Sequence, residues 1–122
     1  MSYLWTTLKV KNLEESVKFY ENIVGLELQR KFKADTGREI AFMAENSNAT
    51  AVELVEEGEK GNIEIGNDIS LGFEIDSVKE KIDFVKEKEI KIHSGPFSPN
   101  NHIEFFYILD PNGVKIQFVE NK

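Results

Sequence analysis

The 122-residue sequence contains no cysteine, which excludes disulfides, thiol catalysis and Cys-based zinc sites. It has no run approaching the roughly 18 uninterrupted apolar residues that a membrane span needs. No basic segment followed by an apolar stretch opens the N-terminus, so no secretory signal is expected. Positive charge is scarce: 15 Lys and Arg stand against 22 Asp and Glu, a net −7. Nucleic-acid binding rests on neutralising phosphates, and this balance argues against it. A cytoplasmic protein with neither nucleic-acid nor membrane partner is the expectation. What is present, 40% hydrophobic and 30% charged residues, is ordinary for a globular protein. The length suits one compact unit, or two small modules sharing a core. The acidity either keeps the chain in solution or raises the local concentration of a cationic ligand.

Against these absences stands a repeat. WTTLKVKNLEESVKFY (Trp5 to Tyr20) reads against SLGFEIDSVKEKIDFV (Ser70 to Val85) at an offset of 65 residues. Leu8 meets Phe73, Val10 meets Ile75, Leu13 meets Val78, Val17 meets Ile82 and Phe19 meets Phe84. The halves also close alike, with AFMAENSNATAVELVE (Ala41 to Glu56) against FYILDPNGVKIQFVE (Phe106 to Glu120). Duplication places paired positions around a pseudo-twofold axis, so a shared site draws on both copies. Among those pairs are Trp5 with Ser70 and Glu53 with Gln117. Their mismatch governs the functional expectation.

Each copy reads as βαβββ. Residues 3–10 alternate as a strand, and Asn12 caps a helix starting at Leu13, with Glu14 and Glu15 favouring its positive end. Leu13, Val17, Tyr20 and Val24 share one face, and Gly25 is the expected stop. Strands follow at 26–33, 38–44 and 50–55, separated by turns at Asp35–Gly37 and Asn46–Asn48. Module 1 is thus 1–57 and module 2 is 68–122, joined by a linker, 58–67. The wider stretch Glu56 to Asp68 holds three of the eight glycines and five acidic residues. The second copy predicts a strand at 69–75, a helix at 77–88 capped by Asp76 or Ser77, and strands at 89–94, 103–109 and 114–119. Ser94 to Asn101 is expected to be an irregular connection, and Asp110-Pro111-Asn112-Gly113 a hairpin turn. Period-two alternation puts Leu8, Val10, Val52, Leu54, Phe73, Ile75, Ile116 and Phe118 on the helix side of their sheets. Trp5, Thr7, Ala51, Glu53, Ser70, Gly72, Gln117 and Val119 fall on the opposite side, which reads as small or polar. Two such sheets curling together would enclose a cleft.

LKVKNLEESVKFYENIVGLEL (Leu8 to Leu28) and DPNGVKIQFVE (Asp110 to Glu120), in that order and spacing, make the chain resemble the vicinal oxygen chelate superfamily. That superfamily includes glyoxalase I, bleomycin resistance proteins and extradiol dioxygenases. The resemblance covers essentially the whole chain. It implies an α+β fold in which paired βαβββ modules form a cupped mixed sheet around a cleft, the glyoxalase/bleomycin resistance fold, in a homodimer. Members similar to glyoxalase I hold a divalent ion with four side chains, His and Glu from each module. Carried onto this chain, those positions are Trp5, Glu53, Ser70 and Gln117. Only Glu53 is a normal ligand; a catalytic ion generally needs three or four donors at about 2.0–2.2 Å. No metal or other cofactor is therefore expected, and Trp5, Glu53, Ser70 and Gln117 read as a degenerate metal site. His93 and His102 lie outside these slots, and Glu74 with Glu104 suggests at best weak binding of a hard cation.

The expected ligand-binding residues are Trp5, Thr7, Glu53, Ser70, Gly72, Phe97 and Gln117. Trp5 offers an indole face for a flat or cationic group, or else packs at the sheet's mouth or in a dimer interface. Glu53 serves as a general base, an acceptor for a cationic ligand, or a carboxylate in a wet cleft. Phe97, between Pro96 and Ser98, suits a lid; Lys115 would complement an anion or a carbonyl. Three functions follow, in order of preference. The first is small-molecule binding in an aromatic, acidic cleft, as in the bleomycin resistance branch. The second is a glyoxalase-like lyase or isomerase of the lactoylglutathione lyase type with an altered metal site, Glu53 being its catalytic residue. The third is a non-catalytic dimeric regulatory module.

Overall fold

A computed structural model describes residues 1–58 and 62–122, which fall into two compact units, Met1–Glu64 and Ile65–Lys122. Part of the expected linker, residues 59–61, lies outside the described residues.

Unit 1 runs β1 (Trp5–Lys9), α1 (Leu13–Phe19), a wider π-helical turn (Tyr20–Val24), β2 (Glu27–Lys33), β3 (Glu39–Ala44) and β4 (Ala51–Glu56). Its sheet has the order β1-β4-β3-β2, with β1 parallel to β4 and the other pairs antiparallel. Unit 2 repeats this with β5 (Ser70–Glu74), α2 (Val78–Glu87), β6 (Ser94–Asn100), β7 (Ile103–Leu109) and β8 (Lys115–Asn121), in the order β5-β8-β7-β6. Its β5–β8 pair is again the parallel one. The duplication read from sequence is thus a duplication of topology. In each unit the first connection carries the chain from one sheet edge to the other, so a helix lies across one face.

The two helices begin in the same way. Asn12 Oδ1 accepts the Glu15 N–H at 2.9 Å, and Ser77 Oγ accepts that of Glu80 at 3.1 Å. A glutamate from the last strand of each unit then takes an amide of the helix's first turn. Glu56 Oε1 accepts from Leu13 N at 2.7 Å, and Glu120 Oε1 from Val78 N at 2.8 Å. These orphan donors have no partner within the helix, and a carboxylate also suits its positive end. Each helix is thereby stitched to its own sheet.

The helices end differently. The turn after α1 closes with Gly25 at φ 92°, whose N–H reaches Tyr20 O at 3.0 Å. The equivalent residue after α2 is Glu89, held at φ 61°. A side chain there is strained whatever space surrounds it, because Cβ crowds the following carbonyl.

Helix-side packing follows the alternation. Leu8, Val10, Val52 and Leu54 are buried in unit 1 with Ala41, Met43, Leu13 and Val17. Ile116 and Phe118 are buried in unit 2 with Phe106, Ile108, Val78 and Val85, while Phe73 and Ile75 are half-buried. The opposite face of unit 1 is not small and polar throughout. Ile40, Phe42 and Val55 form a buried cluster there, with Ala34 and Ala51 packed against it. The alternation assigned to this face left out Ile40 and Phe42 of β3 and Val55 of β4.

A second difference lies after α2. The strand expected at 89–94 is absent, and β6 occupies Ser94–Asn100, where an irregular connection was expected. Ile90 and Ile92 carry strand-like alternation, whereas Gly95, Pro96 and Pro99 signal a break. Proline, however, is tolerated on an edge strand, and β6 is the sheet's edge. It pairs with β7 only intermittently, through Ser94–Tyr107, Phe97–Phe105 and Asn100–Ile103. Gly95 is required: at φ 92° a Cβ would sit 3.1 Å from the Phe106 Cα and 3.2 Å from the Phe105 carbonyl. The hairpin at Asp110–Gly113 forms as expected, with buried Asp110 Oδ1 accepting the N–H groups of Asn112 and Val114 at 2.8 Å each.

Candidate functional site

In unit 1 the strand register sets Thr7, Glu53 and Phe42 in one row across β1, β4 and β3. An irregularity in β2 between Leu28 and Arg30 extends that row to Arg30, opposite Phe42. Thr7 Oγ1 donates to Glu53 Oε1 at 2.5 Å, which fixes the direction of a half-buried carboxylate. Trp5 lies edge-on to Phe42, ring centroids 5.0 Å apart and planes at 71°. Phe42 also takes the Arg30 guanidinium at 5.1 Å and stacks at 6.4 Å with Phe32, which the same guanidinium overlies at 5.0 Å. The buried ring is thus the hub, and Trp5, 44% exposed, presents indole surface beside a carboxylate. Trp5, Thr7 and Glu53 share one face, as alternation predicted. Phe42, Phe32 and Arg30 were not anticipated. Phe42 could have been found by pairing β3 with β4; Arg30 depends on a bulge that leaves no mark in the sequence.

In unit 2 the corresponding row is Gly72, Gln117 and Tyr107. The Gln117 side chain lies over Gly72, so close that a Cβ there would meet its Oε1 at 3.3 Å. Ser70 and Phe97 line a common hollow of about 410 Å³ with Ser94, Tyr107, Asp68 and Lys115. Phe97 is 45% exposed but stands on β6, packed at 5.7 Å from Phe105 and 6.4 Å from Tyr107. It is a wall on a strand, not the loop-borne lid the sequence suggested. Ser94 was missed as a lining residue because the position of β6 was misread.

A further hollow in unit 1, about 1110 Å³, lies at the far ends of β1 and β4 and does not reach Trp5, Thr7 or Glu53. Its charges largely answer one another: Glu57 meets Arg38 Nε at 3.3 Å and Lys9 at 3.8 Å. Surface ion pairs of this kind contribute little.

The four positions where the resemblance would place a metal do not fit one. The indole of Trp5 has no available lone pair, and Ser70 and Gln117 bring weak neutral oxygens. Glu53 is the single carboxylate, already bonded to Thr7. In neither unit do three or more His, Asp or Glu side chains gather at metal-holding distance among the described residues. Glu74 accepts from Asn121 Nδ2 at 2.7 Å, and Glu104 is paired with Lys122 at 3.0 Å. That hydrogen bond and charge raise the Lys122 ammonium above its ordinary range. His93 and His102 are both exposed, and His93 Nδ1 lies 3.2 Å from Ser94 Oγ. Away from the site, burial lowers the Lys81 ammonium, which lies over the rings of Phe84 and Phe118 at 4.7 and 4.8 Å.

Comparison with known proteins agrees with this architecture. The Glyoxalase/Bleomycin resistance protein/Dioxygenase superfamily profile matches residues 2–118. A lactoylglutathione lyase of Neisseria meningitidis serogroup A is 30% identical over 128 residues, spanning 100% of this chain and 92% of that protein. Among solved structures, a Leishmania major glyoxalase I superposes with a TM-score of 0.86 at 19% identity, covering 98% of this chain and 86% of that one. TnmS3, an antibiotic binding protein from Streptomyces sp. CB03234, gives 0.75 at 20% identity, with 100% and 98% covered. The repeat, the topology of both units and the match along nearly the whole sequence lead to one conclusion: the chain belongs to the glyoxalase/bleomycin resistance protein/dioxygenase superfamily and has its fold.

Proposed function

We propose that this protein binds a small molecule through the Trp5–Glu53 face, without the metal centre that glyoxalase-like enzymes of its superfamily use. The observation that carries the reading is the donor set. Of the four inherited positions only Glu53 brings a metal-binding group, and Trp5 brings a ring suited to stacking. A ligand with a flat, cationic group fits this face. Its ring lies on the exposed indole, its charge meets the Glu53 carboxylate, and Thr7 holds that carboxylate in place. The net charge of −7 draws cations toward the protein. A neighbour in the same fold is itself an antibiotic binding protein, which supports the reading by analogy.

Trp5 is the sole tryptophan, so its emission reports on this face alone. A panel of cationic, aromatic and thioether compounds should contain ligands that change Trp5 emission and raise the melting temperature as binding to the native state requires. If no compound in such a panel does either, the binding reading fails. The expected homodimer belongs to the same proposal, and light scattering on the purified chain tests it.

One observation favours a second reading. Glu53 is retained, and relatives at about 30% identity are lactoylglutathione lyases. In that reading Glu53 is a general base, moving a proton on a substrate held against Trp5. Lactoylglutathione lyase activity, measured with and without added Ni, Zn, Co, Mn and Fe, separates the two. Turnover abolished by Glu53→Gln would replace the first proposal with the second.

A further inference from the structure

We infer that the hollow of unit 2 is a second binding subsite, one that takes a small carboxylate whose adjacent carbon bears a hydroxyl or ammonium and whose remainder is apolar. This goes beyond the Trp5–Glu53 proposal: it concerns different residues and the opposite charge, and stands or falls separately. The hollow, about 410 Å³, lies within the usual range for ligand sites.

Three features carry the inference. First, Lys115 is anchored. Its Nζ donates to the Asn67 carbonyl at 2.7 Å, which places the head at the hollow's wall. An ammonium has three donors, so one such bond leaves others for a ligand. Second, Asp68 lines the same hollow, yet among the described residues it forms no ion pair with Lys115. Both residues thus border the hollow without a direct ion pair between them. A plain anion would meet Asp68 unfavourably, whereas a 2-hydroxy or 2-amino carboxylate satisfies both. Its carboxylate faces Lys115 and its donor faces Asp68. Third, the rest of the lining is divided by chemistry. The hydroxyls of Ser70 and Tyr107 can bond the ligand's oxygens, Ser94 Oγ lies 3.2 Å from His93 Nδ1, and Ile69 with the Phe97 ring, 45% exposed, offers an apolar wall. Rings of Phe105 and Tyr107 pack against Phe97, at 5.7 and 6.4 Å.

The inherited metal positions give this added meaning. Ser70 replaces a ligand position with a hydroxyl that lines the hollow. The residue unsuited to a metal is suited to an organic oxygen.

The test is a titration of the intact chain with 3-phenyllactate and phenylalanine, followed by amide resonances and calorimetry. The controls are 3-phenylpropionate, which lacks the donor, and 2-phenylethanol, which lacks the carboxylate. The inference expects saturable shifts at Ser70, Ser94, Tyr107 and Lys115. It also expects at least tenfold weaker binding of phenylpropionate and none of phenylethanol. Lys115→Met should weaken phenyllactate at least tenfold with the melting temperature retained, and Ser70→Ala should weaken it severalfold. Equal binding of all four compounds, no binding of any, or full affinity in both variants would overturn it. Trp5 emission with the cationic panel is recorded on the same samples. Silence there with saturable shifts in unit 2 sinks the Trp5–Glu53 proposal and leaves this subsite standing; the converse result sinks only the subsite.

Discussion

Unit 1 and unit 2 share strand order, pairing sense and helix stitching, yet their helix-free faces carry different chemistry. In unit 1 that face has a buried apolar cluster, an aromatic hub at Phe42, and one carboxylate held by a threonine. In unit 2 it has a cluster of Phe97, Phe105 and Tyr107 rings, bare backbone at Gly72 under Gln117, and a hollow lined by hydroxyls, a lysine and an aspartate. The helix-side faces have diverged far less. What the fold requires has been kept in both copies, and what a site requires has been free to change. Duplication makes the distinction visible, because each position has its own internal control.

The largest test of the shared half is truncation at the equivalent core positions Leu54 and Phe118, both fully buried. Leu54→Ala should cost about 2–5 kcal/mol and Phe118→Ala about 3–5 kcal/mol, read by denaturant unfolding. A large loss at one position with none at the other would break the equivalence. The helix stitches come next. Glu56→Ala and Glu120→Ala each strip the acceptor from a first-turn amide, and each should cost about 1–2 kcal/mol. Unchanged melting in either variant would show that the carboxylate adds nothing to helix docking there.

The diverged half is tested by binding. Glu53→Gln keeps the shape and removes the charge, so cationic ligands should bind about tenfold more weakly, roughly 1.4 kcal/mol, while neutral analogues are little changed. Equal loss for both would assign Glu53 to shape and not to charge. The smallest expected effect again compares the copies. Gly25→Ala should destabilise by about 1 kcal/mol, and Glu89→Gly should stabilise by up to about 1 kcal/mol, since one positive-φ position holds the suited residue and its twin does not. Destabilisation by Glu89→Gly would point to a role for that side chain that outweighs its strain.

The sequence shows most of the helix-side architecture because burial imposes period. Leu8, Val10, Val52 and Leu54 alternate because one face of their sheet is covered, and Asn12 and Ser77 announce helix starts through the side-chain oxygen that an open amide needs. The parts it hides depend on pairing and not on period. Phe42 joins the row of Thr7 and Glu53 because β3 lies beside β4, and Arg30 reaches that row only because β2 slips at one residue. β6 was hidden by its own composition, since glycine and proline mark a loop everywhere except at a sheet's edge. The candidate positions Trp5, Thr7 and Glu53 were legible together because neighbouring parallel strands preserve face parity. Ser70 and Phe97 were legible only singly; the hollow joining them needs the true place of β6.

The central claim is that the broken symmetry at Trp5/Ser70 and Glu53/Gln117 has replaced metal chemistry with binding. It is tested most directly by metal titration calorimetry, with elemental analysis of protein purified without chelator. Ni, Zn, Co, Mn and Fe should give no stoichiometric uptake, and Glu53→Ala should leave the metal content unchanged. One tightly held ion per chain, lost on Glu53→Ala and accompanied by a change in Trp5 emission, would contradict the account.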